Sequence, residues 1–232
     1  MYKNIEEAMA GLSVWKEHRR VIVRPLSKNL AYKPTFEADY LREAVMYRFI
    51  ELIESAHALY KVELLVGSVV SVRSAYETLA VMWYLNTKLS HLVKTKDLKH
   101  FSERTRSLIL GWSKDEEFPE KTNILTCIKS VDKELEGKFG RHYDMLSEYA
   151  HPNYSGTFGA YANPNHETLE VTFGKYPRSE KTLKNHIENT IIISVSMLDN
   201  LQEGYEKVIN EALDVCLDLH RSGKLKEQLV ET

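Results

Sequence analysis

The chain has 232 residues, of which 43% are hydrophobic and 28% charged, so it is long enough to bury a sizeable core. Only 10 Gly and 6 Pro interrupt it, which tilts the composition towards helix. A formal net charge of -2 supplies no global basic field, so nucleic acid or lipid headgroups would have to be met by local patches.

The start, MYKNIEEAMAGLSVWK, carries acidic residues and no apolar run, unlike a secretory signal. Residues 3–18 read as a short helix, followed by the connector HRRVIVRPLSKNLAYKP, closed by Pro34. Residues 1–35 are thus expected to form an N-terminal helix and connector, and 36–232 a helical bundle. From Phe36 to about Tyr60 the residues Leu41, Val45, Phe49, Leu52, Ile53 and Ala56 recur at helical spacing. A second long helix is expected from about Val62 to Asn86. Its most apolar part, Leu64 to Leu85, is interrupted by Arg73, Glu77 and several Ser, and falls short of a membrane span. Two shorter helices, 97–111 and 119–135, flank the break GWSKDEEFP, and a further helix from about Lys138 stops at His151 because Pro152 follows.

Beyond His151 the period changes. Leu169, Val171 and Phe173 alternate with Thr168, Glu170 and Thr172, which indicates a strand. SGTFGAY is its expected partner and ANPNHE the turn, placing a β-hairpin at about 155–174, directly after His151. A long helix from about Ser179 to His220 completes an all-α fold with a four-helix core (36–60, 62–86, 138–151 and 179–220), extra short helices and one β-hairpin. Cys127 and Cys216 match no metal spacing and read as free thiols, so a soluble cytoplasmic protein is expected.

Two charges stand out. On a helix of 3.6 residues per turn, Arg73 and Glu77 fall in the middle of an apolar stripe, flanked by Val66, Val70, Ala80 and Tyr84. The opposite face holds Gly67, Ser68, Ser71, Ser74 and Thr78, small enough for close packing against another helix. A buried ion needs a partner, so Arg73 and Glu77 form either an internal ion pair or the wall of a polar pocket. On the 138–151 helix, Phe139, Tyr143, Leu146 and Ala150 make the apolar face, while Asp144, Ser147 and His151 line an adjoining polar stripe. At a helix C-terminus the protonated imidazole is favoured, which suits His151 to acid–base work or phosphate contact. The plainer reading is that His151 caps its own helix.

LLVGSVVSVRSAYETLAVMWYL and YDMLSEYAHPNYSG together resemble a group of bacterial proteins, related to the HEPN superfamily, in which an Arg-x-x-x-Glu helix precedes one ending in Ser-x-x-x-His-Pro. The resemblance covers residues 40–155. It implies a helical domain that dimerises and, in active members, a metal-independent ribonuclease without a cofactor. The usual Arg-x4-6-His signature of that superfamily is absent: positions 144, 145 and 146 are Asp, Met and Leu, and Arg141 lies about 15 Å back along the helix. Only His151 carries over directly, as general base towards a ribose 2′-hydroxyl; apart from the resemblance, Arg73 would supply the cation on the phosphate if the two helices are neighbours. Glu77 and Ser147 would orient them, while Arg141 and Tyr154 would meet RNA or a nucleotide. HRRVIVR, KTKDLKH and ERTR offer further positive charge.

Two other readings compete. Glu54-Ser-Ala-His57 and Glu148-Tyr-Ala-His151 share the Glu-x-x-His spacing of di-iron four-helix proteins, with Glu77 and Glu188 available as single ligands. About one such spacing arises by chance in this composition, so the expectation is no metal. The second is a non-catalytic binding or scaffolding module in which Arg73, Glu77 and His151 are a structural polar network. A Ser147–His151–Asp144 triad, crowded on one helix, has neither oxyanion hole nor nucleophile elbow.

Overall fold

A computed structural model describes residues 1–112 and 117–229. The middle of the expected GWSKDEEFP break, positions 113–116, lies outside the described residues. Among the described residues the regular structure is helical apart from one small hairpin. Asn4 caps α1 (Ile5–Glu17) through its side chain, which accepts from the Glu7 amide at 2.8 Å. A 3-10 turn, Leu30–Tyr32, leads into α2 (Lys33–Lys61), with Pro34 in the first turn, where its missing N–H costs nothing. α3 (Leu65–Thr95) turns back after Glu63, whose φ of 56° lets three residues reverse the chain.

Then come α4 (Leu98–Leu110), α5 (Ile124–Leu135) and α6 (Lys138–Ala150). Glu136 and Gly137 take successive left-handed conformations, φ 53° and 73°, so α5 and α6 turn sharply on each other. The chain closes with α7 (Phe158–Tyr161), β1 (Ala162–Asn165), β2 (Glu170–Phe173), α8 (Glu180–Arg221) and α9 (Leu225–Gln228).

α3 is the central element. Its small-residue face packs on α2: the buried Ser68 hydroxyl donates to the Ala56 carbonyl at 2.7 Å, and Arg48 Nε reaches Thr78 Oγ1 at 3.3 Å. Its other faces meet α5, α6 and α8. The main core joins Phe49, Ile53, Leu79, Val131, Phe139 and Leu198, with Ile5, Ala8 and Leu12 of α1 packed into it. α5 therefore contributes Cys127, Ile128 and Val131 to the core, alongside the four helices expected there. Both cysteines are buried and unpaired. Among the described residues no helix is long and apolar enough to cross a membrane.

α3 runs nine residues beyond its expected end. Leu85, Leu89 and Leu92 continue its buried ridge into a second cluster with Leu98, Phe101, Val215 and Cys216, and this packing outweighs the polar Asn86, Thr87 and Ser90. α8, 42 residues long, spans both clusters.

The hairpin departs from expectation. Residues 155–161 are not a strand. Asn153 Oδ1 accepts the Gly156 amide at 3.1 Å, the Asn153 carbonyl accepts the Thr157 amide at 3.0 Å, and these local bonds fold the segment into a turn followed by α7. The strand partner lies in the expected turn instead, with Ala162 opposite Phe173 and Asn165 opposite Glu170. Nor is one face buried: Leu169 is 87% and Phe173 77% exposed.

Four histidines are packed in this frame. Burial holds His57, His100, His142 and His186 below the ordinary value of 6.5. His142 lies against Tyr76, its Nε2 2.7 Å from Thr190 Oγ1. The unfolded chain binds more protons than the folded one as pH falls below 6.5, so the stability these groups contribute is present above 6.5 and is lost as pH falls through their folded values. Thermal midpoints measured between pH 7.5 and pH 5 should fall, and His142→Gln should reduce the fall.

Candidate functional site

α3 and α6 meet through a polar cluster set in apolar surroundings. Leu146 and Phe139 anchor α6, and Phe139 stacks on Tyr76 of α3 with ring centroids 3.8 Å apart. That docking brings Tyr143 and Ser147, one turn apart on α6, against Arg73 and Glu77, one turn apart on α3. Arg73 Nε donates to Ser147 Oγ at 2.9 Å, and Arg73 Nη2 to the Tyr143 hydroxyl at 2.5 Å. The same Nη2 lies 3.1 Å from Glu77 Oε1, to which the Tyr143 hydroxyl donates at 3.0 Å. Ser147 in turn donates to the Tyr143 carbonyl at 2.9 Å, leaving its oxygen free to accept from Arg73. The guanidinium carbon sits 4.8 Å from the Tyr143 ring centroid, a cation–π contact as well.

Arg73 and Glu77 retain 19% and 23% side-chain exposure, so the cluster sits at the margin of the core. Burial, and then the hydrogen bond to Glu77, push the Tyr143 phenol above its ordinary pKa. Tyr143 thus remains a neutral donor at neutral pH, the form that the Glu77 carboxylate requires.

His151 stands one turn beyond Ser147. It is the C-cap of α6: its backbone N–H donates to the Ser147 carbonyl at 3.0 Å and its extended φ/ψ of -86° and 152° obeys the following proline. Its ring is exposed and makes no hydrogen bond to a described residue. Arg73, Glu77 and Ser147 are therefore brought together directly, and His151 is joined to them through the backbone of the last turn of α6. The structure adds Tyr143, which sequence periodicity places on the apolar face. A Tyr spaced four residues before Ser, opposite Arg-x-x-x-Glu, is the signal that could have revealed it.

The other expected residues are scattered. Arg141 is exposed and its Nη1 lies 3.5 Å from the Glu136 carbonyl. Tyr154 is 64% exposed, its ring 5.8 Å from that of Phe158. The carboxylates of the two Glu-x-x-His spacings are engaged apart from each other: Glu54 pairs with Lys16 at 2.5 Å and Glu148 accepts from Asn153 at 2.9 Å. Glu188 takes the Tyr60 hydroxyl, and Glu77 belongs to the Arg73 cluster. No group of three metal-ligating side chains stands together among the described residues.

The exit from α6 is tightly wound. A Cβ on Gly156 would collide with the His151 carbonyl oxygen and come within 2.8 Å of that of Tyr149. No protein-family model matches the chain, and no curated protein and no solved structure matches it.

Two substitutions follow from the cluster. Glu77→Ala leaves Arg73 without its carboxylate and should cost about 1–3 kcal/mol in denaturant unfolding. Tyr143→Phe removes one hydroxyl from the same set and should cost about 1 kcal/mol. Because both disrupt one network, the double variant should cost less than the sum.

Proposed function

We propose that the chain is a HEPN-like, cytoplasmic RNA-binding domain that takes single-stranded RNA along the segment from His151 to Arg178, with His151 as its acid–base group. The observation that carries this reading is the run of exposed aromatic rings immediately after an exposed, unbonded imidazole. Tyr154, Phe158, Tyr161 and Phe173 all keep large exposed surface. The Arg178 guanidinium lies 5.7 Å from the Phe158 ring and its Nε donates to the Ala162 carbonyl at 2.9 Å, so one cation is fixed among the rings. Stacking platforms with a fixed cation are what single-stranded nucleic acid requires, and they accept any base.

In this reading Arg73 is a positioning residue. Three of its contacts point inward to α6, and together with Glu77, Tyr143 and Ser147 it holds the helix end that presents His151. Arg178 would draw the phosphates of the strand, and His151 would take the proton of a ribose 2′-hydroxyl in cleavage without metal. A dimer, which the family resemblance implies, would bring two such segments together.

Fluorescence anisotropy with a labelled uridine 12-mer tests the proposal. Binding should be salt-sensitive, and Tyr154→Ala should weaken it about 5- to 100-fold with folding unchanged. His151→Ala should retain binding and abolish any cutting that persists in chelator. Absence of binding by the wild-type protein at low salt would overturn the reading.

A further inference from the structure

A cleft of about 570 Å³ opens away from the α3–α6 cluster, between the end of α1, the connector after it, the first half of α2 and the middle of α8. Its lining carries a second charge network. Arg20, from the connector, grips Asp39 with Nη1 and Nη2 at 2.6 and 2.8 Å. Its Nε and its backbone N–H both donate to the buried Glu43, at 3.1 and 2.8 Å. Asp39 and Glu43 are thereby committed to Arg20, and the connector is tied down over α2.

Arg42 beside them is different. Its side chain is only 14% exposed, yet its nearest carboxylate oxygen, on Glu43, is 3.9 Å away, beyond hydrogen-bond reach. The guanidinium carbon lies 4.2 Å from the ring centroid of the buried Tyr205, a cation–π contact. Among the described residues it has no hydrogen-bond acceptor, although it is a five-donor fork lining an open cleft. Burial, the largest influence on it, already lowers its pKa, so its charge is poorly solvated where it stands. An oxyanion in the cleft would supply what it lacks.

The lining describes the rest of that molecule. Four arginines against three carboxylates leave one net positive charge, which favours an anion. Trp15, Tyr32 and Phe36, with Ile209 and Leu213, form walls that suit a flat apolar body, and the volume lies within the range of small-molecule sites. We infer that this cleft is a binding site for a small organic anion, an aromatic ring bearing one carboxylate or phosphate, with Arg42 as the bidentate contact to the anionic group. Arg forks match either oxyanion, and the aromatic walls confer affinity that inorganic phosphate alone would not share.

Isothermal titration with phenylacetate, phenyl phosphate and the neutral isostere phenylacetamide tests the assignment on the intact chain. One of the two anions should bind at one per chain with at least tenfold preference over the amide, and which of them binds identifies the anionic group. Arg42→Lys, which keeps the charge and loses the fork, should weaken binding about tenfold. Asn210→Trp, at an exposed rim position away from the Arg20 network, should block it while leaving the fold intact. Equal binding of the amide, binding indifferent to both substitutions, or no saturable binding of either anion at millimolar concentration would each overturn the proposal. The RNA-binding reading stands or falls separately, because none of these groups lies on the His151 segment.

Discussion

The Arg73 guanidinium, held by Glu77, Tyr143 and Ser147, is the constraint on which the candidate site depends. Four polar groups at the edge of an apolar interface satisfy one another, and each contact links α3 to α6 or fixes a member that does. Remove the cation and the carboxylate is left half-buried; remove the carboxylate and the cation is. The cluster is therefore worth more as a specifier of how α6 lies on α3 than as a sum of hydrogen bonds. Apolar docking through Phe139 and Leu146 supplies the stability, and the polar set supplies the register.

That division of labour explains the position of His151. The imidazole is one helical turn past Ser147, its peptide N–H ties it to the Ser147 carbonyl, and the proline that follows prevents the helix from continuing. A tight turn built on Asn153 and closed over the His151 carbonyl by Gly156 then leads to the exposed rings. The histidine is thus exposed, while its backbone is firmly placed.

The helices were legible in the sequence because long apolar ridges recur at 3.6 residues, and the anomaly at Arg73 and Glu77 was legible for the same reason: two charges broke a stripe. Tyr143 was hidden, since periodicity counts an aromatic as apolar and cannot see where its hydroxyl ends. Asn86, Thr87 and Ser90 look like a stop to α3, while Leu85, Leu89 and Leu92 are buried by α4, the next helix, and by α8, which is distant in the chain. Alternation marks the hairpin, but Asn153 and Thr157 satisfy the backbone locally and divert 155–161 into a helical turn, so the first strand starts only at Ala162. The Arg42 cleft could not be read at all. Its parts come from α1, the connector, α2 and α8, and HRRVIVR shows only as a run of charge.

Two networks of similar make-up thus serve different ends. Around Arg73 the donors are matched within the fold, and around Arg42 they are not, though its side chain is the less exposed of the two. Local pairing, rather than burial, separates an internal clamp from a place where a ligand can bind.

Amide hydrogen exchange in the wild-type protein and in Arg73→Met tests the central claim most directly. If the cluster fixes the end of α6, the substitution should speed exchange at His151 and through 147–157 while α2 and the α4 end of α3 keep their protection. Unchanged exchange at those amides in a folded Arg73→Met protein would contradict it.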